Sequence, residues 1–205
     1  MALAVLTPKS AAAEWQIKPA VGVTFGGKTT FVDWEDAVGI PNPALSVNGT
    51  LLGEVFGLEA DVGFMPGLFD RDGERSPLDR ISGNVMCDET CVTSSMVTTY
   101  TANVVIAVPR RLTEYTLRPY IVGGGGLMRV SVTEGPGFGL YDGVSPVNIA
   151  ALDVGGGVTG FLTDRLGLNW DLRWFRSLRG RQQGVSLGRE KLSFWRASMA
   201  VAVRY

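Results

Sequence analysis

The stretch Leu166–Phe175 reads LGLNWDLRWF, and its large apolar residues alternate with small, polar or charged ones. The apolar positions are Leu166, Leu168, Trp170, Leu172 and Trp174. The positions between them are Gly167, Asn169, Asp171, Arg173 and Phe175. Because successive side chains of a β-strand point to opposite sides, this period of two predicts a strand with one apolar and one largely polar face.

The same period recurs along the chain. It is clearest in Trp15–Gly26, Gly57–Phe64 and Trp195–Tyr205. It is weaker in Leu45–Leu51, Met96–Val108, Leu117–Leu127 and Ala150–Leu162, of which the last two contain runs of glycine. Glycine weakens a strand but permits the tight curvature of a closed barrel. No window of comparable length shows the period of an amphipathic helix, so we predict an all-β protein.

These windows and their flanks predict eight strands. Their ranges are 15–27, 44–52, 55–67, 95–108, 116–131, 148–162, 165–176 and 192–205. The connections alternate in length: 28–43, 68–94, 132–147 and 177–191 are long, whereas 53–54, 109–115 and 163–164 are short. Long and short connections then lie at opposite ends, which is the layout of an eight-stranded antiparallel up-and-down transmembrane β-barrel.

The composition narrows the possible functions. The 205 residues include 27 glycines, 45% hydrophobic residues and only 19% charged residues, which disfavours disorder. Lys+Arg (19) and Asp+Glu (20) nearly cancel, so the chain lacks the basic excess of a nucleic-acid-binding protein. Histidine is absent, which excludes Ser-His-Asp and Cys-His catalysis and His-ligated zinc or haem. We therefore expect a protein that is not an enzyme and has no cofactor and no metal.

One face of the predicted strands carries nine charged residues. They are Lys18, Glu59, Asp61, Arg118, Asp153, Asp171, Arg173, Arg196 and Arg204. The other face carries Leu, Val and Trp. The large aromatic residues that we assign to its strand ends are Trp15, Phe25, Trp170, Trp174, Trp195 and Tyr205.

Aromatic residues at strand ends are typical of the interfacial girdles of membrane barrels. We therefore predict that the apolar face contacts lipid and that the charged residues form a network filling the narrow lumen. The alternative is a soluble barrel or sandwich, which would bury the Trp/Leu face and place the charges in water.

Two further features concern the compartment. Met1–Leu6 is a short apolar run, and Ala11–Ala13 supplies the small residues of a cleavage site. Residues 1–13 are therefore interpreted as a residual signal peptide or a disordered tail, and residues 14–205 as the barrel domain. Cys87 and Cys91 are the only cysteines, and in an exported protein we expect them to form a disulfide bond within the long connection 68–94.

Several segments together resemble a known family. They are Trp15–Gly27 (WQIKPAVGVTFGG), Gly57–Phe69 (GLEADVGFMPGLF), Arg118–Leu127 (RPYIVGGGGL), Val154–Leu168 (VGGGVTGFLTDRLGL) and the terminal aromatic residue Tyr205. In their order and spacing they are similar to the small outer-membrane β-barrel proteins of Gram-negative bacteria, of the OmpA transmembrane-domain type. The resemblance implies location in the bacterial outer membrane. It also implies insertion by the outer-membrane assembly machinery, which reads a C-terminal strand ending in an aromatic residue, more usually Phe than Tyr.

The function expected from these features is non-enzymatic. We predict an integral outer-membrane protein with a structural or surface-interaction role, present as a monomer. Its expected partners are outer-membrane lipid and the outer-membrane assembly machinery, and we expect no binding of nucleic acid. The sequence identifies neither a ligand nor a surface partner. The alternatives are a narrow gated channel and a soluble secreted β-barrel that binds a small apolar ligand.

Overall fold

The computed structural model describes residues 13–29, 41–68, 94–109, 112–113, 117–133, 147–178 and 192–205. Nearly all of these residues lie in strands. The strands are β1 (Glu14–Thr29), β2 (Asn42–Leu52), β3 (Phe56–Pro66), β4 (Ser94–Ala107), β5 (Leu117–Thr133), β6 (Val147–Phe161), β7 (Leu166–Ser177) and β8 (Leu192–Arg204).

Each strand pairs with its neighbour in the sequence, and β8 pairs with β1, so the sheet closes into an eight-stranded antiparallel barrel. Closure leaves no unpaired strand edge. The predicted fold is confirmed, and each predicted strand end lies within two residues of the observed one. Within the described ranges, no helix is long and apolar enough to span a membrane.

Side chains along the strands alternate between exposed and buried, as the pattern of β7 illustrates. The exposed side is apolar: Trp15, for example, is 58% exposed. The buried side carries charge, and Arg173 is 0% exposed. A water-soluble protein places these residue classes the other way round. The arrangement is that of a barrel whose outer surface contacts lipid, and it is the reverse of the soluble alternative.

Glycines that face inward make room for long side chains inside the barrel. A Cβ atom at Gly155 would overlap Arg173, and one at Gly63 would overlap a guanidinium nitrogen of Arg196. The runs of glycine in β5 and β6 therefore do more than permit curvature. They leave a lumen that is wide enough for guanidinium groups although the barrel has few strands.

We predict that Gly157→Ala destabilises the barrel, because the added Cβ atom would lie 2.6 Å from the hydroxyl of Tyr120. Overpacking of this kind typically costs about 1–3 kcal/mol. The matched control is Gly49→Ala, since Gly49 is also a strand residue but has no atom within 4 Å of an added Cβ. Thermal unfolding in lipid vesicles, followed by the shift in gel migration on heating, measures both variants. Equal midpoints for the two variants would contradict this explanation of the glycines.

Candidate functional site

The centre of the lumen is bridged by an ion pair between opposite walls of the barrel. Arg173 lies on β7 and Glu59 lies on β3, four strands away around the closed sheet. Their side chains meet with Arg173 Nη1 2.7 Å from Glu59 Oε1. Arg173 also donates from Nε to Asp171 Oδ1 at 2.6 Å and from Nη2 to Asp171 Oδ2 at 3.0 Å. One guanidinium therefore links a carboxylate of its own strand to one across the lumen.

Glu59 has two further partners, on β1 and β2. Lys18, on β1, places Nζ 3.3 Å from Glu59 Oε2. Thr50, on β2, donates its hydroxyl to the same oxygen at 3.1 Å. The carboxylate is thus bound from three directions, which offsets the large cost of removing its charge from water.

A second ion pair crosses the lumen beside the first. Arg196 on β8 donates from Nη2 to Asp61 Oδ2 at 2.9 Å. The Asn48 amide fits between the two pairs when it is oriented with its nitrogen toward Asp61 Oδ2, at 2.7 Å, and its oxygen toward Arg173 Nη2, at 3.2 Å; this is the orientation in which both of its polar atoms have partners. Asn48 therefore connects both ion pairs into one network.

Uncharged residues extend the network toward β5 and β6. The Tyr120 hydroxyl donates to Asp171 Oδ2 at 2.7 Å and lies 3.1 Å from Asn169 Oδ1. Thr159 donates to the same Asn169 oxygen at 2.7 Å. Sequence analysis missed these residues because it searched the inward face for charges alone, although their parity already placed them on that face.

Asp153 has the weakest contacts of the buried carboxylates described here. Its Oδ2 lies 3.6 Å from Arg173 Nη1. Neither of its oxygens has a hydrogen-bond partner among the described residues, although the side chain is only 3% exposed. Its parity and burial place it in the predicted network, at the edge of the group of ion pairs.

Two predicted network residues lie at the short-connection end of the barrel, away from these ion pairs. Arg118 donates to the carbonyl oxygens of Gly53 and Glu54, both at 2.8 Å. Arg204 donates to the carbonyl oxygen of Asp164 at 2.6 Å and lies 3.5 Å from Glu14 Oε1. Both arginines therefore bind backbone carbonyl groups of the short connections and do not bridge the centre of the lumen.

An apolar layer lies inside the barrel between the ion pairs and the long connections, and a smaller apolar cluster lies toward the short connections. The layer comprises Ala44, Met65, Leu68, Val97, Met128, Val130, Ile149, Ala151, Phe175, Leu192 and Phe194. The smaller cluster, on β2, β4 and β5, comprises Leu52, Val105, Ala107, Tyr120 and Val122. The apolar layer is closely packed: the rings of Phe175 and Phe194 stack with centroids 5.2 Å apart. The Arg196 guanidinium covers the Phe175 ring at 4.8 Å, so the two kinds of layer are in direct contact.

The chain after β3 contributes to the apolar layer. Gly67 has a φ angle of 69°, a conformation that glycine adopts without the steric penalty of a Cβ atom. The turn places Leu68, which is 1% exposed, in the layer toward the long connections. Leu68, the second residue after β3, therefore packs inside the barrel with this layer.

The predicted aromatic girdle occupies the outer surface near both ends of the barrel. Phe25, Trp195 and Trp174 are adjacent on β1, β8 and β7 toward the long connections. At the other end, the Tyr205 amide donates to the Trp15 carbonyl at 3.0 Å. The prediction that Trp170 lies at a strand end is wrong, because it lies within β7, opposite Met199 and Val158.

Two predictions fall outside the described residues. They are the disulfide between Cys87 and Cys91 and the interpretation of residues 1–12 as a leader or tail. In the part of the chain that the structure describes, no group of three or more Cys, Asp or Glu side chains could hold a metal ion.

Solved structures share this fold at low sequence identity. OprG from Pseudomonas aeruginosa, an outer membrane protein, matches with a TM-score of 0.56 and 12% identity, over 95% of this chain and 97% of OprG. Neisserial surface protein A matches with a TM-score of 0.55 and 12% identity, over 94% of this chain and 97% of that one. Ail from Yersinia pestis, in complex with the heparin analogue sucrose octasulfate, matches with a TM-score of 0.50 and 11% identity, over 93% and 98% of the two chains. No protein-family model and no curated protein sequence matches this chain.

The chain therefore has the fold of the eight-stranded outer-membrane β-barrels, as the sequence resemblance implies. The outer surface supports the same class independently, because its apolar residues are exposed while charged residues are buried inside. The inverted surface indicates that this barrel spans a membrane, as the outer-membrane barrels that share its fold do.

We predict that Leu172→Arg impairs insertion, because Leu172 is an exposed residue on the outer face near the middle of β7. An arginine near the bilayer midplane of a barrel costs about 2–4 kcal/mol, and one near the interface about 0–1 kcal/mol. Leu166→Arg is the matched control, since Leu166 shares the face but begins the strand. Folding yield in phospholipid vesicles measures the difference. Equal yields for both variants would show that this face does not contact the bilayer core.

Proposed function

We propose that the protein is a non-enzymatic outer-membrane barrel with a closed lumen and a structural or surface-interaction role. The observation that carries the proposal is the pair between Arg173 and Glu59, which joins opposite walls at the centre of the barrel. The lumen of an eight-stranded barrel is just wide enough for side chains to fill. A bridge across that width occupies the route that a solute would take.

The apolar layer toward the long connections supports closure. A hydrated ion that approached from that end would meet packed apolar side chains before it reached the polar centre. Entry of a charge into such a layer is unfavourable, because apolar side chains do not replace its hydration shell. A channel would require this layer to separate and the ion pairs to break, and removing one partner of a buried pair typically costs about 3–5 kcal/mol.

If the lumen is closed, the ends of the barrel are the surfaces that bind other molecules. The long connections, which join β1 to β2, β3 to β4, β5 to β6 and β7 to β8, all start from and return to the same end of the barrel. Loops carried by a rigid scaffold are frequent sites of recognition. The names of two proteins that share the fold, Neisserial surface protein A and the attachment invasion locus protein Ail, support a role at the cell surface.

We predict no steady conductance when the purified barrel is inserted in planar lipid bilayers. Simultaneous replacement of Arg173 and Glu59 by alanine removes the bridge across the lumen and should raise the ion leak. The control is Arg204→Ala, since Arg204 lies at the short-connection end and its removal leaves the bridge intact. A large steady conductance of the unmodified protein would overturn the proposal and favour the narrow channel.

A further inference from the structure

The outer face of the barrel is asymmetric in charge. Among the outward-facing strand side chains that the structure describes, Arg129 and Arg176 carry charge, and both are cations. Both are exposed, and both lie in the part of their strands nearer the long connections. The buried carboxylates, by contrast, face the lumen. The face toward the lipid therefore presents only positive charge in the described strands, at one end.

Arg176 has polar neighbours on the adjoining strands. It is opposite Ser193 of β8, and Ser193 is in turn opposite Lys28 of β1. Arg176 and Ser193 are called here the rim site. Since neighbouring strands are about 4.8 Å apart, the backbone positions of the two residues are separated by about 5 Å.

An aromatic row fixes the depth of the rim site. Trp174, Trp195 and Phe25 occupy the adjacent row on the same three strands, on the side nearer the barrel centre. The Arg176 guanidinium lies 5.7 Å from the centroid of the Trp174 ring. Tryptophan rings at this position of a membrane barrel lie at the level of the lipid headgroups. The guanidinium, one row farther out, then lies at the level of the phosphates.

We infer that the rim site binds the phosphate group of an anionic lipid in the leaflet at the long-connection end of the barrel. A guanidinium donates two parallel hydrogen bonds to a phosphate, and a serine hydroxyl can donate a third. Charge complementarity favours a lipid phosphate as the occupant. In the described strands the outer face of the barrel carries cations and no carboxylate, and the phosphate groups of lipid headgroups at this depth are anionic. The inference rests on the proposed location in the outer membrane and adds a preferred lipid class.

The test uses the full chain reconstituted in phosphatidylcholine vesicles with and without phosphatidylglycerol. Spin-labelled phosphatidylglycerol and spin-labelled phosphatidylcholine report the fraction of each lipid that the barrel immobilises. We expect the unmodified protein to prefer the anionic lipid. Arg176→Gln should reduce that preference about fivefold, the effect of roughly one cation at a membrane surface. Arg176→Lys keeps the charge but loses the planar fork, so it should retain part of the preference.

The control is Arg165→Gln, because Arg165 is an exposed arginine in the short connection at the opposite end. The inference is overturned if the unmodified protein shows no preference, if Arg176→Gln keeps it, or if Arg165→Gln reduces it equally. Should Arg176→Gln fail to fold, raised salt provides the second measurement, since screening must abolish the preference of the unmodified protein. Failure of the unmodified protein to insert at all would instead contradict the proposed function.

Discussion

The ion pair between Arg173 and Glu59 is the interaction on which the rest of the barrel depends. It requires a guanidinium and a carboxylate to lie in the interior at 2.7 Å, where water is scarce. Such charges are tolerated only where hydrogen bonds and opposite charges offset the loss of hydration. Asp171, Lys18, Thr50 and the other polar residues around the pair supply those partners. The inward glycines follow from the same requirement, because Gly155 leaves the space that the Arg173 side chain occupies.

The bilayer imposes the complementary constraint on the outside. Every backbone group must be paired within the sheet, which closure achieves, and the outward side chains must be apolar at mid-depth. Polar residues are then accommodated in the lumen or at the two ends. This division leaves the lumen filled by ion pairs and by an apolar layer toward the long connections, and it leaves contacts with lipid headgroups and external molecules to the rims and long connections.

Sequence reasoning predicted the strands and their faces because both follow from a local period of two, which Leu166–Phe175 shows plainly. It did not predict which charges pair, because Arg173 meets Glu59 through the closure and stagger of the whole sheet. It also missed the apolar layer at the long-connection end. The signal was present as neighbouring apolar pairs such as Trp174-Phe175 and Phe194-Trp195, which put apolar side chains on both faces. The predicted position of Trp170 was wrong because a tryptophan on the outer face was assumed to lie at a strand end.

The most direct test of the account is a double-mutant cycle for unfolding in lipid vesicles, with Arg173→Met, Glu59→Gln and the combined variant. The two residues are far apart in sequence and share the lumen bridge. If the bridge is formed, the effects of the two changes are coupled, by about 1–3 kcal/mol. Free energies of unfolding that add within about 0.5 kcal/mol, as for independent sites, would show that the two side chains do not interact and would contradict the account.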